Sequence, residues 1–249
     1  MSLFEQLSLF RLPPAAPLAR TRHVQVGARI VPYELRQAAG RRLAITIDER
    51  GLRVGAPRHL PLYEIEAFVR SHGDWVARKL DEYAGRQAQR RLCIRDGARL
   101  PLLGGEAVVR IEAGANRSHW RDDNLILAAR PDADLDALAR RALQRRALDH
   151  FSTRLAHFAH RMGQPAPALG LSSARTRWGS CSRKSGIRIN WRLVHLPPRF
   201  ADYVVAHELA HLVEMNHSPR FWAVVASLYP EWQTVRAELK RRAADIPLL

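Results

Sequence analysis

From about residue 21 the chain reads as strand. Leu43, Ile45 and Ile47 alternate with Ala44 and Thr46, and Asp48-Glu49-Arg50-Gly51 turns the chain into Leu52-Arg53-Val54; a period of two fits strands with one buried face. Over residues 62–83 the spacing becomes helical, with Ile65, Phe68, Val69, Trp75, Val76 and Leu80. Ser71-His72-Gly73-Asp74 interrupts this run and predicts two helices, with Asp74 as the second N-cap. Strand patterning returns at Leu92–Ile94, Leu100–Leu102, Ala107–Ile111 and Leu125–Ala128, with Asp96-Gly97 as a hairpin turn.

After Pro131 the character changes. Leu135, Leu138, Ala142, Leu148, Phe151, Leu155, Phe158 and Met162 predict one long amphipathic helix over 133–162, ended by Gly163 and Pro165. Arg140, Arg141, Arg145 and Arg146 lie between these apolar positions and read as a solvated face. Two strands follow, Leu169–Arg177 and Ile187–Leu193, joined by the turn WGSCSRKSG. Pro197-Pro198 opens a helix, and Ser218-Pro219 reads as the N-cap and first residue of another, continued by Phe221, Trp222, Val225 and Leu228. No internal repeat is evident. The expected organisation is α+β: a loose arm over 1–20, a β-rich module over 21–130 and a second domain over 131–249.

Composition narrows the class. A hydrophobic fraction of 47% and a charged fraction of 26% over 249 residues are those of a globular protein with a sizeable core. Two cysteines, Cys93 and Cys181, exclude a disulfide framework and suit a reducing compartment. The opening MSLFEQLSLFRLPP is a poor signal peptide, and no apolar run reaches membrane-spanning length, so a cytoplasmic location without membrane contact is expected. The net charge of +16 is spread over both halves of the chain and favours polyanions such as nucleic acid or nucleotides. With only three lysines among the 40 cations, the excess also has a purely compositional explanation.

The chemistry is concentrated in VVAHELAHLVEMNHS, residues 204–218. His207 and His211 lie four apart, on one face of a helix and about 6 Å apart along its axis, so both imidazoles can reach one ion. Glu208, about 100° around, can hold a water beside that ion. The third ligand follows from reach. Glu214 shares the histidine face but sits about 10.5 Å along the helix from His207, too far for ligand bonds near 2 Å. His217 becomes usable if the chain turns back, and Asn216, tolerant of the left-handed conformation, supplies the expected turn. The remaining histidines are weaker metal candidates: His23, His59, His72 and His119 are scattered, and His150, His157 and His160 have no acidic partner at ligand spacing.

RTRWGSC (175–181), INWRLVHLPP (189–198) and VVAHELAHLVEMNHSPRFW (204–222) together resemble the YgjP-like group of metal-dependent hydrolases, related to SprT-like and minigluzincin-type peptidases. The resemblance extends over most of residues 21–243. It implies one zinc ion held by His207, His211 and His217, Glu208 as catalytic base, and a zincin-like core with an active-site helix beside an antiparallel sheet. RTRWGSC would form a strand there, able to pair with an extended polypeptide substrate. Arg177, Trp178, Ser180 and Arg192 are the candidate substrate contacts. Each also has a plain structural reading: core for Trp178, turn chemistry for Ser180, and for Cys181 a small buried hydrophobe.

Two rival functions stay open at this level. A metal-activated water could attack a phosphoanhydride of a nucleotide, although no phosphate-cradling glycine loop or carboxylate cluster for Mg²⁺ is present. Alternatively, the chain is a nucleic-acid-associated module whose metal is structural or vestigial. Oligomeric state leaves no trace in the sequence.

Overall fold

The computed structural model describes residues 21–40, 42–48, 50–174, 176–182 and 184–249. The arm expected over 1–20, Glu49 of the first turn, and Arg175 and Arg183 lie outside the described residues. Contacts divide the chain into two units that meet in sequence between Arg91 and Leu92, each with its own apolar core.

In the first unit, β1 (Thr21–Val26), β2 (Arg29–Ala38), β3 (Ala44–Asp48) and β4 (Gly51–Pro57) form one sheet in the order β1-β2-β4-β3. The alternation that predicted strands is the alternation that buries them, with Leu52, Val54 and Ala56 inward on β4. Ile65 and Val69 of α1 (Leu62–Ser71) and Val76 of α2 (Gly73–Arg90) join the same core. Asp74 is not the cap expected of it. His72 takes that place and Asp74 stands in the first turn of α2, where its charge suits the helix N-terminus.

The second unit begins with β5 (Arg99–Leu102), β6 (Gly105–Ala113), β7 (Arg117–Arg121) and β8 (Asn124–Ala129), in the order β5-β6-β8-β7. The hairpin between β5 and β6 turns at Leu103-Gly104, both with positive φ, and not at Asp96-Gly97. Leu125, Leu127 and Ala129 of β8 share a core with Leu138, Ala139 and Ala142 of α3 (Leu135–Arg161), and the Leu92 N–H donates to the Leu248 carbonyl at 2.9 Å. The change of pattern at Pro131 therefore marks a switch from sheet to helix within one unit. The division between units lies 39 residues earlier than the expected one.

Both four-stranded sheets have the same topology: an antiparallel pair, a parallel pair and a second antiparallel pair, in the order 1-2-4-3. The sequence shows no repeat because backbone pairing repeats here and residue identity does not.

The third sheet carries β9 (Leu169–Ser172), β10 (Gly179–Ser182) and β11 (Gly186–Asn190) in the order β10-β11-β9. It is mixed: β11 runs antiparallel to β10 and parallel to β9. Two expectations from the pattern shift here. The strand predicted over 169–177 ends at Ser172, and β10 occupies part of what the pattern read as a turn, overlapping the end of the 175–181 segment that the resemblance made a strand. Gly-Ser-Cys-Ser has no large apolar residue with which to announce a strand, yet it pairs with β11 and packs on α4 (Pro198–Val213). The run predicted over 187–193 changes at Trp191 into a short 3₁₀ helix, Trp191–His195.

The α+β expectation holds, with β10 and β11 packed beside α4; the sheet there is not the antiparallel one expected, because β9 joins β11 in parallel. Every residue of α4 from Tyr203 to His211 is buried. α5 (Pro219–Leu228) and α6 (Trp232–Arg242) cover it further on. Among the described residues no helix is long and apolar enough to cross a membrane.

Candidate metal centre

Burying a histidine and a glutamate in the middle of a core helix costs free energy unless something uses them. On α4, His207 is wholly buried, Glu208 is 1% exposed and His211 8%. The third imidazole arrives because α4 stops in time. Glu214 leaves the helical conformation, with φ −138° and ψ 114°, and its Oε1 accepts from the Asn216 N–H at 3.2 Å. The expected device was a left-handed Asn216. An extended Glu214 does the work, and Asn216 keeps an ordinary φ. Ser218 caps α5 as predicted, accepting from the Phe221 N–H at 3.3 Å. His217 is thus held between two helix ends and folds back over α4.

One ligand nitrogen from each of His207, His211 and His217 lies within 4.8 Å of the other two. His207 Nε2 and His217 Nε2 are 3.2 Å apart. Tetrahedral zinc with bonds of about 2.0–2.1 Å needs nitrogens separated by about 3.3 Å, so the donor set fits that ion. His211 Nδ1–H donates to the Glu214 carbonyl at 3.2 Å, which leaves Nε2 as its bare nitrogen. Burial lowers the pKa of all three imidazoles. His217 falls to about 4, with the charges of His211 and Arg236 contributing after burial. They are therefore held neutral, the form that ligates. Glu214 is absent from this cluster, as its reach along the helix required, and so are His150, His157 and His160.

Glu208 completes the constellation. Its Oε1 is buried without a hydrogen-bond partner among the described residues. Burial raises its pKa to about 8, and the Arg177 guanidinium pulls partly the other way. The carboxyl lies against Gly179 of β10, so closely that a Cβ there would stand 2.7 Å from Cδ and Cγ and closer still to Oε1.

The other candidate contacts scatter. Arg177 is brought to the site by its charge on Glu208. Ser180 sits half-buried on β10, paired with Arg188. Trp178 packs against the core, and its carbonyl accepts from the Asn190 N–H at 2.7 Å. Arg192 is engaged elsewhere, donating to the Ser173 carbonyl at 3.3 Å and lying over the Trp191 ring at 5.0 Å. Cys181 has its thiol pushed up to about 11, chiefly by burial, which leaves it a poor nucleophile.

Sequence reasoning missed the walls of the site. The Phe221 ring lies 4.6–4.9 Å from all three imidazoles. Trp222 stacks on His217 at 5.7 Å and on Trp232 at 4.2 Å, with the Arg236 guanidinium over its ring at 5.1 Å. Their signal was available for α5, where Phe221 and Trp222 stand four and five residues after the last histidine. Arg236 lies on another helix and had no local signal.

A solved structure, the metallopeptidase zymogen abylysin from Pyrococcus abyssi, is similar at 22% identity and a TM-score of 0.36, covering 39% of this chain and 99% of that one. A search of curated proteins finds no match. The model of the YgjP-like metallopeptidase domain matches residues 41–242, and the chain belongs to that family.

Proposed function

We propose that this protein is a zinc-dependent peptidase, with His207, His211 and His217 as the ligands and Glu208 as the general base. The observation that carries this reading is the convergence of three neutral imidazoles beside a buried carboxylate whose Oε1 has no hydrogen-bond partner among the described residues. When bound, zinc supplies positive charge beside the scissile carbonyl and makes a nearby water more acidic. Glu208 takes the proton of the attacking water and passes it to the leaving amine. A carboxyl whose pKa is lifted towards neutrality suits both halves of that task. Arg177 holds its charge near that carboxylate in the ionised state. Phe221 and Trp222 exclude bulk water from the imidazoles.

β10 is an edge strand of its sheet and packs on the helix that carries Glu208. An extended polypeptide adding to that edge would bind through backbone groups with broad sequence tolerance. We place the reaction in the cytoplasm, consistent with the two free cysteines.

The test is a substrate panel. Unfolded proteins and quenched peptides should be cleaved by the zinc-loaded enzyme and not after chelation, with activity restored by zinc. Hydrolysis of nucleoside triphosphates without any peptide cleavage would overturn the reading. Metal removal has a second signature. Zinc at 100 times its dissociation constant stabilises the folded state by ~2.7 kcal/mol, which raises Tm by ~5–10 °C for a unit of this size. His217→Ala is expected to lose more than half of that gain in differential scanning fluorimetry. An unchanged zinc-dependent Tm would remove His217 from the ligand set.

A further inference from the structure

A second concave site lies in the same unit, on the far side of the three-stranded sheet from β10. It is a groove of about 640 Å³ between α3, β7 and β9. Its floor is apolar, made by Leu138 and Leu148 of α3 and Leu171 of β9. Arg117, Arg141 and Arg145 line it, together with the amide of Gln144, and no carboxylate does. The spacing 138, 141, 145, 148 puts the two α3 leucines and the two α3 arginines along one face of the helix.

No acidic side chain holds these cations among the described residues. No carboxylate there pairs with Arg117, Arg141 or Arg145, whereas Arg99, Arg110, Arg154 and Arg199 of the same unit each have one. All three groove arginines are exposed. Arg145 is aimed by Ser118, donating to its Oγ at 2.5 Å. Beyond the groove, Arg146 of α3 lies 5.6 Å from the centre of the ring of Trp120 on β7, which is half-buried and packed against the core. β7 is itself an edge strand.

We infer that this groove binds single-stranded nucleic acid, its arginines on the phosphates and its leucines against the bases. The function is separate from peptide hydrolysis. Unpaired guanidiniums without a neighbouring carboxylate select a polyanion. The apolar floor selects among polyanions. A single strand can turn its bases inward onto apolar side chains, while a duplex keeps them stacked inside and an acidic peptide has none to offer.

The probe is a fluorescein-labelled oligothymidylate of about 12 nucleotides, followed by anisotropy from 50 to 300 mM salt, within the range of site sizes and salt dependence known for such strands. The Arg117→Ala/Arg141→Ala/Arg145→Ala variant is expected to bind ~10-fold more weakly at 50 mM salt, with a salt slope smaller by ~2. Because Arg145 also holds Ser118, a second variant changes only Arg117 and Arg141, whose side chains have no hydrogen bond or ion pair among the described residues. A control removes equal charge at Arg95, Arg220 and Arg241, exposed residues outside the groove. Four results would overturn the inference: no binding by the wild type at 50 mM salt; equal weakening by the control; a duplex bound as tightly as the strand; or polyglutamate displacing the strand at equal charge concentration. Binding retained by wild type and control, and weakened in both groove variants, supports it.

Discussion

Glu208→Gln protein loaded with zinc is expected to cleave a polypeptide about 10³-fold more slowly than wild type, within the range for loss of a general base. The substitution keeps the volume that lies against Gly179 and leaves His207 and His211 on their own face of α4, so zinc stoichiometry should not change. Wild-type activity in a zinc-replete Glu208→Gln protein would remove Glu208 from the chemistry. The same variant carries a pH signature in the metal-free protein. The folded carboxyl titrates at about 8 and the unfolded one near its ordinary 4.5. Between those values the folded state binds more protons, so stability falls as pH rises from about 4.5 to 8. At about 1.4 kcal/mol for each pH unit the carboxyl is displaced, the effect is on the order of a few kcal/mol. His217, lowered from 6.5 to about 4, acts in the opposite sense, its stability being lost as pH falls below 6.5. Urea titrations of the metal-free protein should therefore show an alkaline decline that Glu208→Gln abolishes and an acid decline that it leaves in place.

How much of this was legible depended on whether the signal was local. The pair His207 and His211 could be read because four residues of helix fix their geometry regardless of context. Ser218-Pro219 could be read for the same reason, since capping chemistry acts within one turn. The break before His217 was foreseen and its mechanism misassigned. Helix termination at Glu214 depends on the surroundings of an extended residue, and nothing in Glu-Met-Asn-His distinguishes that from a left-handed Asn216. Strand β10 was hidden from the hydrophobic pattern, and only the family resemblance pointed to a strand there. A strand of glycine and small residues has no hydrophobic alternation, and only its partners β11 and α4 make it one. The division at Leu92 was illegible because a sheet and the helix that covers it carry different periodicities while sharing a core. Reading a change of period as a change of domain is safe only where the two patterns do not bury each other.

Gly179 supplies the second large effect, because β10 touches α4 there, at the proposed base. A Cβ at this position would meet the Glu208 carboxylate at distances no real side chain tolerates. Gly179 is buried, and so is the carboxylate, so the strain of Gly179→Ala must be relieved by swinging the Glu208 side chain out of place. The metal ligands are not in that path. The expected outcome is a kcat lower by ~10²-fold, the typical consequence of misplacing a reacting group by about 1 Å, with zinc affinity preserved. Mere damage to the fold would give the same loss, and a double-mutant cycle separates the two. If Gly179 acts only by seating the carboxylate, adding Gly179→Ala to Glu208→Gln should cost less than about 2-fold more, since there is no base left to misplace. Additive losses would mean that β10 contributes something else, such as the edge along which substrate lies. That result would be informative too, because Gly179 is where the strand proposed to hold substrate meets the residue proposed to activate water. A methyl group there disturbs one function first, and the cycle reports which.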